Sequence, residues 1–310
     1  MIYQHLLVPF RGSRGIMYFC PMPLTSAKSI YKQVTDAVKS IYDQREAESM
    51  AVAYLSDRWH IHRIKLSMNI ELAVDEQLLK SDLRKLQQGM PLQHVVGFQE
   101  FYGHRFQTSH HALIPRPETE ELVEWIIESI SDRHPELASG SSLKVLDIGT
   151  GTGCIPISID LESDQVQCTG IDISEDALKL AETNAKRLHS HTQFKKLDIL
   201  ADPLEENSFD LIVSNPPYIP EADKARMHHN VLNYEPVLAL FVSNEDPLIF
   251  YRTIAQKALG ALTQNGILFF EIHEAYGEEV MKLLDSEGYH KIELRQDING
   301  KDRMIKGVRK

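Results

Sequence analysis

The chain has 310 residues, 43% of them hydrophobic, so it can bury a sizeable core and is expected to form about two domains. Its formal net charge of -11 argues against the basic surface that is usual for a protein binding duplex nucleic acid, although a local basic patch is compatible with it. It has no run of about 18 apolar residues and only three scattered cysteines, so we expect no membrane span, no disulfide framework and a reducing compartment.

Residues 1–22 are expected to form a disordered extension. Four basic residues precede the first acidic residue, Asp36, and this pattern also fits a mitochondrial targeting segment. Several prolines and the absence of a clear amphipathic period favour the simple extension. We therefore expect a cytoplasmic protein, with the mitochondrial matrix as the alternative location.

Residues 23–90 have the periodicity of short helices. Ile30, Val34, Val38 and Ile41 recur at spacings of three and four, which puts them on one face of a helix. Helices that are short and half apolar must bury that face against one another. The sequence therefore predicts a small helical domain at the N-terminal end of the chain.

Residues 91–114 are predicted to form a β-hairpin linker, because Phe101–Phe106 resembles two short strands around a glycine turn. From residue 115 to 310 a helix is followed by alternating strands and helices, which favours an α/β fold with a mostly parallel sheet. Asn299-Gly300 is a hairpin signal, so the last two strands should be antiparallel. The predicted strands are KVLDIG, CTGID, FKK, FDLIVS, GILFFEI, KIELRQD and MIKGV.

A glycine-rich loop follows the first of these strands and leads into a helix. Glycine lets the backbone adopt positive φ and approach a ligand closely, and a helix N-terminus offers free N–H groups. The spacing G-x-G-x-G is not the dinucleotide pattern G-x-G-x-x-G, because Cys154 stands in the last position. The residues of this predicted ligand loop are Gly149, Thr150, Gly151, Thr152 and Gly153.

Acidic residues are predicted at the ends of the next two strands. Asp172 follows the glycine loop at a distance that suits an acid bonded to a ribose diol. Alternatively, Asp172 or Ser174 could cap the next helix, and both roles can hold if Ser174 is the cap. Asp198 could bond an adenine amino group and Ile199 could cover the ring, or both could lie in a solvated loop. The loop and the two acids together resemble the cofactor site of class I S-adenosylmethionine methyltransferases.

The tetrapeptide Asn215-Pro216-Pro217-Tyr218 follows the fourth strand, so it should lie at the same edge of the sheet. A delocalised amide or amino nitrogen is hard to methylate unless its two N–H groups are held by acceptors. The Asn215 side-chain oxygen and the Pro216 carbonyl can supply both, because proline is rigid and adds no N–H of its own. Tyr218 offers a flat face for a planar group. Adenine, cytosine and glutamine side chains all remain possible substrates from this motif alone.

Several segments together closely resemble the release-factor glutamine methyltransferases, the HemK/PrmC family. The resemblance runs from about Ser26 to the C-terminus, and its most specific part is IPRPETE at Ile114–Glu120. Two stretches depart from the family pattern, Val237–Ser243 and Ile272–Glu274, which lack expected glycines. The other segments that carry the resemblance are Phe101–Gly103, the glycine loop, the NPPY motif and Tyr234–Pro236.

The resemblance implies transfer of a methyl group from S-adenosyl-L-methionine, giving S-adenosyl-L-homocysteine, without a metal. The substrate would be the glutamine in the Gly-Gly-Gln loop of peptide chain release factors, methylated at its side-chain amide nitrogen N5, which modulates translation termination. Residues 23–90 would recognise the substrate and residues 115–310 would catalyse transfer. We also expect a monomer that does not bind nucleic acid directly.

The resemblance also assigns roles to individual residues. The glutamine would be held by Asn215, Pro216, Pro217 and Tyr218. The catalytic residues would be Asn215, Pro216 and Tyr218. The cofactor would be held by Phe101, Arg116, Pro117, Thr119, Gly149, Thr150, Gly151, Thr152, Gly153, Asp172, Asp198, Ile199 and Asn215.

The sequence also allows other functions. The chain could methylate another protein glutamine or a nucleobase amino group, or it could be a non-catalytic binding module that keeps the fold. Arg116-Pro117-Glu118 alone would be read as the start of a helix. The pairs His110-His111 and His228-His229 lack the matching spacing of a metal site, which favours solvated loops.

Overall fold

The computed structural model describes the backbone of residues 7–11, 17–61, 63–68, 70–133 and 142–310. It divides into two compact units, Met1–Val96 and Gly97–Lys310. Among the described helices, none is both long enough and apolar enough to cross a bilayer.

The first unit is mainly helical. Ser26, Asp43 and Asp75 each accept a backbone N–H near the start of the helix that follows them, which satisfies a donor that the helix leaves free. Its helices are α1 (Ala27–Val38), α2 (Gln44–Trp59), α3 (Glu76–Gln87) and α4 (Leu92–Val96), and its strands pair as β1 (Leu7–Arg11) with β2 (Met17–Pro21) and β3 (Leu24–Ser26) with β4 (Glu71–Ala73).

The predicted apolar stripe of the first helix is buried at Ile30, Val34 and Val38. Ile41 is the exception, because α1 has already ended and this residue lies in the following turn. In the predicted N-terminal extension, residues 7–11 and 17–21 form paired strands instead of irregular chain, whereas residues 1–6 and 12–16 lie outside the described part.

The second unit begins with a hairpin at the predicted place. Strands β5 (Phe98–Phe101) and β6 (His104–Gln107) pair around Gly103 and are followed by helix α5 (Pro117–Arg133). The hairpin belongs to the same compact unit as the sheet, while α4 belongs to the first unit. The division of the chain into a recognition domain, a linker and a catalytic domain stays a prediction.

A seven-stranded sheet forms the centre of the second unit. Its strands are β7 (Leu143–Ile148), β8 (Val166–Asp172), β9 (Gln193–Lys196), β10 (Phe209–Ser214), β13 (Leu262–Glu271), β14 (Tyr289–Gln296) and β15 (Asp302–Arg309). Their order in the sheet is β14-β15-β13-β10-β7-β8-β9. All seven predicted strands are present, and only β15 runs antiparallel to its neighbours.

Helices cover both faces of the sheet, so alternate strand residues point into two separate cores. In β10, for example, Leu211 and Val213 face one core and Ile212 faces the other. The predicted α/β fold with a mostly parallel seven-stranded sheet and a small helical unit is confirmed. The main helices of this unit, besides α5, are α6 (Cys154–Glu162), α7 (Glu175–Leu188), α10 (Ile249–Ala261) and α11 (Gly277–Glu287).

The strand order reverses direction between β7 and β10. From β7 the chain continues to β8 and β9 on one side, while β10 is followed by β13 on the other side. In open α/β sheets, ligands bind in the crevice that such a reversal leaves at the carboxyl ends of the strands. Between β10 and β13 lie the short elements β11 (Ile219–Pro220), a 3-10 turn (Glu221–Arg226), α8 (His229–Tyr234), α9 (Val237–Leu240) and β12 (Phe241–Val242).

Candidate active site

The glycine loop connects the end of β7 to the start of α6. Gly149, Gly151 and Gly153 have φ values of 76°, 53° and 78°, in the left-handed region that favours glycine. A Cβ on Gly153 would lie 2.9 Å from the end of the Ile157 side chain and 3.1 Å from the Cβ of Ala181, so close packing adds to the preference for glycine here. No side chain caps the first turn of α6. Its N–H groups are therefore available to a ligand.

Buried polar groups lie at this loop without partners. Both carboxylate oxygens of Asp147, in β7, and the hydroxyls of Thr150 and Thr152 make no hydrogen bond among the described residues. Burial raises the pKa of Asp147 to about 7, the Asp172 carboxylate adds to that rise, and the Thr150 hydroxyl opposes it. Unpartnered buried polar atoms are costly, which makes them good indicators of a site that is completed by a ligand.

Asp172 lies at the carboxyl end of β8, next to the glycine loop. Its carboxylate accepts the N–H of Gly151 at 3.0 Å and that of Ser174 at 2.9 Å. Ser174, and not Asp172, is the cap of α7, because its hydroxyl accepts the N–H of Ala177. Of the two predicted caps the structure has Ser174, and the oxygens of Asp172 keep further lone pairs for a diol.

Asp198 and Ile199 follow β9 at the same edge of the sheet. The Asp198 carboxylate accepts the N–H of Leu200, so one of its oxygens is partly used within the loop. Ile199 is 9% exposed and packs in the core with Ile148 and Ile171. Ile199 is thus not in a solvated loop, while contacts of either residue with a nucleoside stay predictions.

The NPPY motif follows β10 directly. Ser214, the last residue of the strand, donates its hydroxyl to the carbonyl oxygen of Ile148 at 2.8 Å and so ties the start of the motif to the end of β7. Pro216 is buried, whereas Asn215 and Tyr218 are partly exposed. The motif therefore lies beside the glycine loop, as the sequence predicts.

A hydrogen-bonded network joins this motif to two other segments. Thr119 of α5 donates its hydroxyl to Glu271 Oε2 at 2.5 Å, and Asn215 Nδ2 lies 3.4 Å from that same hydroxyl. Tyr218 donates its hydroxyl to Glu271 Oε1 at 3.2 Å. Burial raises the pKa of the Tyr218 phenol far above its ordinary value, so it stays a donor. The network brings Asn215, Tyr218 and Thr119 together around a carboxylate that the sequence prediction missed.

Arg116 forms an ion pair with the buried Glu235, which follows α8. One guanidinium nitrogen lies 2.6 Å and 2.8 Å from the two carboxylate oxygens. This pair links the two segments IPRPETE and YEP. Pro117 is exposed and is the first residue of α5, so the interpretation as a helix start also holds for this stretch.

Phe101 is not brought to the surface of the site. Its ring is 1% exposed and packs edge-to-face on Phe106, with ring centroids 5.9 Å apart. The hairpin itself reaches the glycine loop through Asn184 of α7, whose side-chain amide bonds the backbone of Gln107 and the carbonyl of Thr152. A cofactor contact of Phe101 therefore stays a prediction for which this packing gives no support.

A cavity of about 410 Å³ lies at the opposite, amino end of the sheet strands. Its lining includes Lys144, Cys168 and Lys195, and none of the predicted site residues. In the described part of the chain, no cluster of three or more His, Cys, Asp or Glu side chains could hold a metal ion.

Comparison with known proteins identifies the family. The sequence model of the methyltransferase domain matches residues 139–299. The release factor glutamine methyltransferase of Flavobacterium psychrophilum is 40% identical over 90% of this chain and 98% of its own length. The proteins of the same name from Bacteroides thetaiotaomicron and Bacillus cereus are each 36% identical, over 88% and 89% of this chain and 96% and 98% of their own lengths.

Proposed function

The chain belongs to the family of release factor glutamine methyltransferases, and we propose that it transfers a methyl group from S-adenosyl-L-methionine to the side-chain amide nitrogen N5 of a glutamine in a peptide chain release factor. The observation that carries the proposal is the position of NPPY beside a glycine loop whose buried polar groups lack partners. The Gly-Gly-Gln loop as the target segment, and its effect on translation termination, follow from the family resemblance alone.

The residues present fit the proposed cofactor. Asp172 offers carboxylate lone pairs for a ribose diol, and the free N–H groups of α6 face the same edge. The unpartnered carboxylate of Asp147 is suited to a cationic or hydrogen-bond-donating group, such as the ammonium of the methionine part. S-adenosyl-L-methionine supplies a methyl group that is activated on a sulfonium and leaves S-adenosyl-L-homocysteine after transfer.

The chain's own contribution to transfer is positioning. The Asn215 side-chain oxygen and the Pro216 carbonyl accept the two N–H bonds of the substrate amide and turn its nitrogen toward the methyl group. Correct placement of two reactants can contribute roughly 7–11 kcal/mol in favourable systems. We assign no role as a base to Glu271, because it is 1% exposed and its two oxygens already accept the hydroxyls of Thr119 and Tyr218. The proton of the product can leave to water.

Substrate choice follows from the same pair of acceptors. A buried site with two acceptors strongly disfavours a ligand without an NH2 group, because the acceptors would then remain unpaired. Tyr218 covers the planar amide. A cytoplasmic location and a monomeric state stay predictions from the sequence.

A methyl-transfer assay tests the proposed function. Purified protein and labelled S-adenosyl-L-methionine are incubated with a release factor, with its variant in which the loop glutamine is replaced by alanine, and with duplex DNA. We expect label on the intact release factor only. Label on DNA would keep the NPPY chemistry but overturn the substrate, and label on no acceptor would overturn the proposed transfer.

A further inference from the structure

Two hydrogen bonds, which share the Thr119 hydroxyl, connect Asn215 to the end of β13. Asn215 Nδ2 lies 3.4 Å from Thr119 Oγ1, and Thr119 Oγ1 lies 2.5 Å from Glu271 Oε2. Thr119 is 3% exposed and Glu271 is 1% exposed, so the bond between them is shielded from water, whereas Asn215 is partly exposed. The three residues come from three separate elements, which are α5, the NPPY loop and β13.

With Glu271 ionised, the chemistry of these groups leaves one arrangement of hydrogens. An ionised carboxylate can only accept, and a hydroxyl has a single hydrogen to donate. The hydroxyl hydrogen of Thr119 therefore points to Glu271, which leaves Thr119 only lone pairs to offer to Asn215. The end of the Asn215 amide that faces Thr119 must then be its NH2 group. Its oxygen points the opposite way.

We propose that Glu271 is a positioning residue that acts through Thr119 to fix the amide orientation of Asn215, so that the oxygen and not the NH2 group faces the methyl acceptor. The inference rests on the proposed function, since the acceptor is taken to be an amide NH2. With the Asn215 amide reversed, two NH2 groups would face each other and the substrate nitrogen would lose one of its two acceptors. Fixing the orientation before substrate binds removes that unproductive state.

The surroundings of Glu271 hold its side chain in place, and the direct contacts of the carboxylate partly offset the effect of burial on its charge. Burial raises its pKa, whereas Thr119, the positive charge of Arg303 in β15 and the Tyr218 hydroxyl lower it, and Glu118 adds a further rise. From α10, Tyr251 donates its hydroxyl to the backbone carbonyl of the same residue.

The same carboxylate also holds the other end of the motif. Tyr218 donates directly to Oε1, while Asn215 is reached through Thr119 at Oε2. Glu271 thus holds both polar side chains of NPPY in position, although we do not place it in contact with the substrate. This explains why a strand as apolar as ILFF ends in a buried acid at the edge where the site lies.

A double-mutant cycle tests the inference. Glu271→Leu removes the acceptor at similar volume, and its single-turnover rate with saturating release factor and cofactor is compared with that of the wild type. The same substitution is then made in the Asn215→Ala background. We expect the rate to fall about 10- to 100-fold in the first case and several-fold less in the second, because without Asn215 only the contribution that Glu271 makes through Tyr218 is left.

Equal losses in both backgrounds would overturn the inference, because a general structural defect does not depend on Asn215. The melting temperature and the cofactor dissociation constant are measured for every variant as checks on folding. If Glu271→Leu does not fold, Thr119→Val takes its place in the cycle. Thr119→Ser, which keeps the hydroxyl, should then recover most of the rate that Thr119→Val loses.

An NMR measurement separates this inference from the proposed function. In the protein without substrate, the side-chain NH2 protons of Asn215 should show a nuclear Overhauser effect to the Thr119 methyl group. That effect should be absent in Thr119→Ser, which has no methyl, and present in the wild type whether or not a release factor is methylated. Its absence from the wild-type spectrum would overturn the orientation even if transfer to the release factor is observed.

Discussion

The two ends of the central sheet use polar residues in opposite ways. At the amino end, Asp210 accepts the N–H of Lys144 and the hydroxyl of Thr263, so it ties three neighbouring strands together. At the carboxyl end, Asp147 is buried without a partner and Asp172 retains free lone pairs. The first kind of group is satisfied within the chain, and we propose that the cofactor completes the second.

If the proposed site is correct, the size of a cavity does not identify it. The 410 Å³ cavity lies at the amino end, where Asp160 is already bonded to Ser190 and to the backbone of His191. The carboxyl end instead has hydrogen-bonding groups with unused capacity at the point where the strand order reverses. Substitutions at both ends test whether function depends on the carboxyl end of the sheet and stability on the amino end.

The largest effect is expected for Asn215→Ala at the carboxyl end. This change removes one of the two acceptors for the substrate amide, so turnover should fall about 100-fold or more, by analogy with the loss of one donor from an oxyanion hole. The dissociation constant of the cofactor should stay within about 3-fold, since the amide acts on the substrate. Steady-state kinetics and isothermal titration measure the two quantities. Turnover close to that of the wild type would remove Asn215 from its role.

Asp172→Ala should act on the cofactor instead. Loss of the carboxylate removes the proposed diol acceptor, and we expect the cofactor to bind about 10-fold more weakly or worse. Asp172→Asn is the matched control, because it keeps one acceptor oxygen and should show a smaller loss. Isothermal titration at fixed pH compares the variants. An unchanged dissociation constant in Asp172→Ala would exclude contact with the ribose.

Asp147→Asn should change the pH dependence of stability. The pKa of this carboxyl is about 7 in the folded protein and has an ordinary value of 3.8, so the folded state holds the proton more tightly. The contribution of this carboxyl to stability is full below pH 3.8 and is lost as the pH rises through about 7. The difference corresponds to roughly 4 kcal/mol.

Without cofactor, Asp147→Asn should therefore melt at a higher temperature than the wild type at pH 8, with little difference at pH 4. Thermal denaturation followed by circular dichroism across this range measures the effect. If the melting temperatures of the two proteins change with pH in the same way, the Asp147 carboxyl is not a buried group without a partner. Addition of the cofactor should reduce the difference if its ammonium group pairs with Asp147.

The smallest effect is expected at the amino end. Asp210→Ala removes two hydrogen bonds at the amino ends of three central strands and should lower the free energy of unfolding by about 1–2 kcal/mol. Turnover and cofactor binding should stay as in the wild type, because this end takes no part in transfer. Urea denaturation and the methyl-transfer assay measure both. A loss of turnover without a loss of stability would contradict the separation of the two ends.

Much of the fold could be predicted from the sequence, because periodicity and turn residues are local signals. The strands of the sheet and the antiparallel pair around Asn299-Gly300 are where the pattern puts them. The glycine loop and NPPY could also be placed, since the carboxyl ends of parallel strands meet at one edge.

The long-range partners of the site could not be predicted in this way. Glu271 is the last residue of an apolar strand, and its bond to Thr119 joins residues 152 positions apart. The pairing of Arg116 with Glu235 is equally non-local. Phe101 has a local pattern that fits a site residue as well as a core residue, and only its packing on Phe106 separates the two.

Localisation of the transferred methyl group tests the central claim most directly. A release factor is incubated with the protein and isotopically labelled S-adenosyl-L-methionine, digested, and analysed by tandem mass spectrometry. We predict that the label lies on the side-chain amide nitrogen of one glutamine. The label should be absent when the Asn215→Ala variant is used in place of the wild-type enzyme. Label on a carboxylate, on a backbone nitrogen or on a residue without an NH2 group would contradict it.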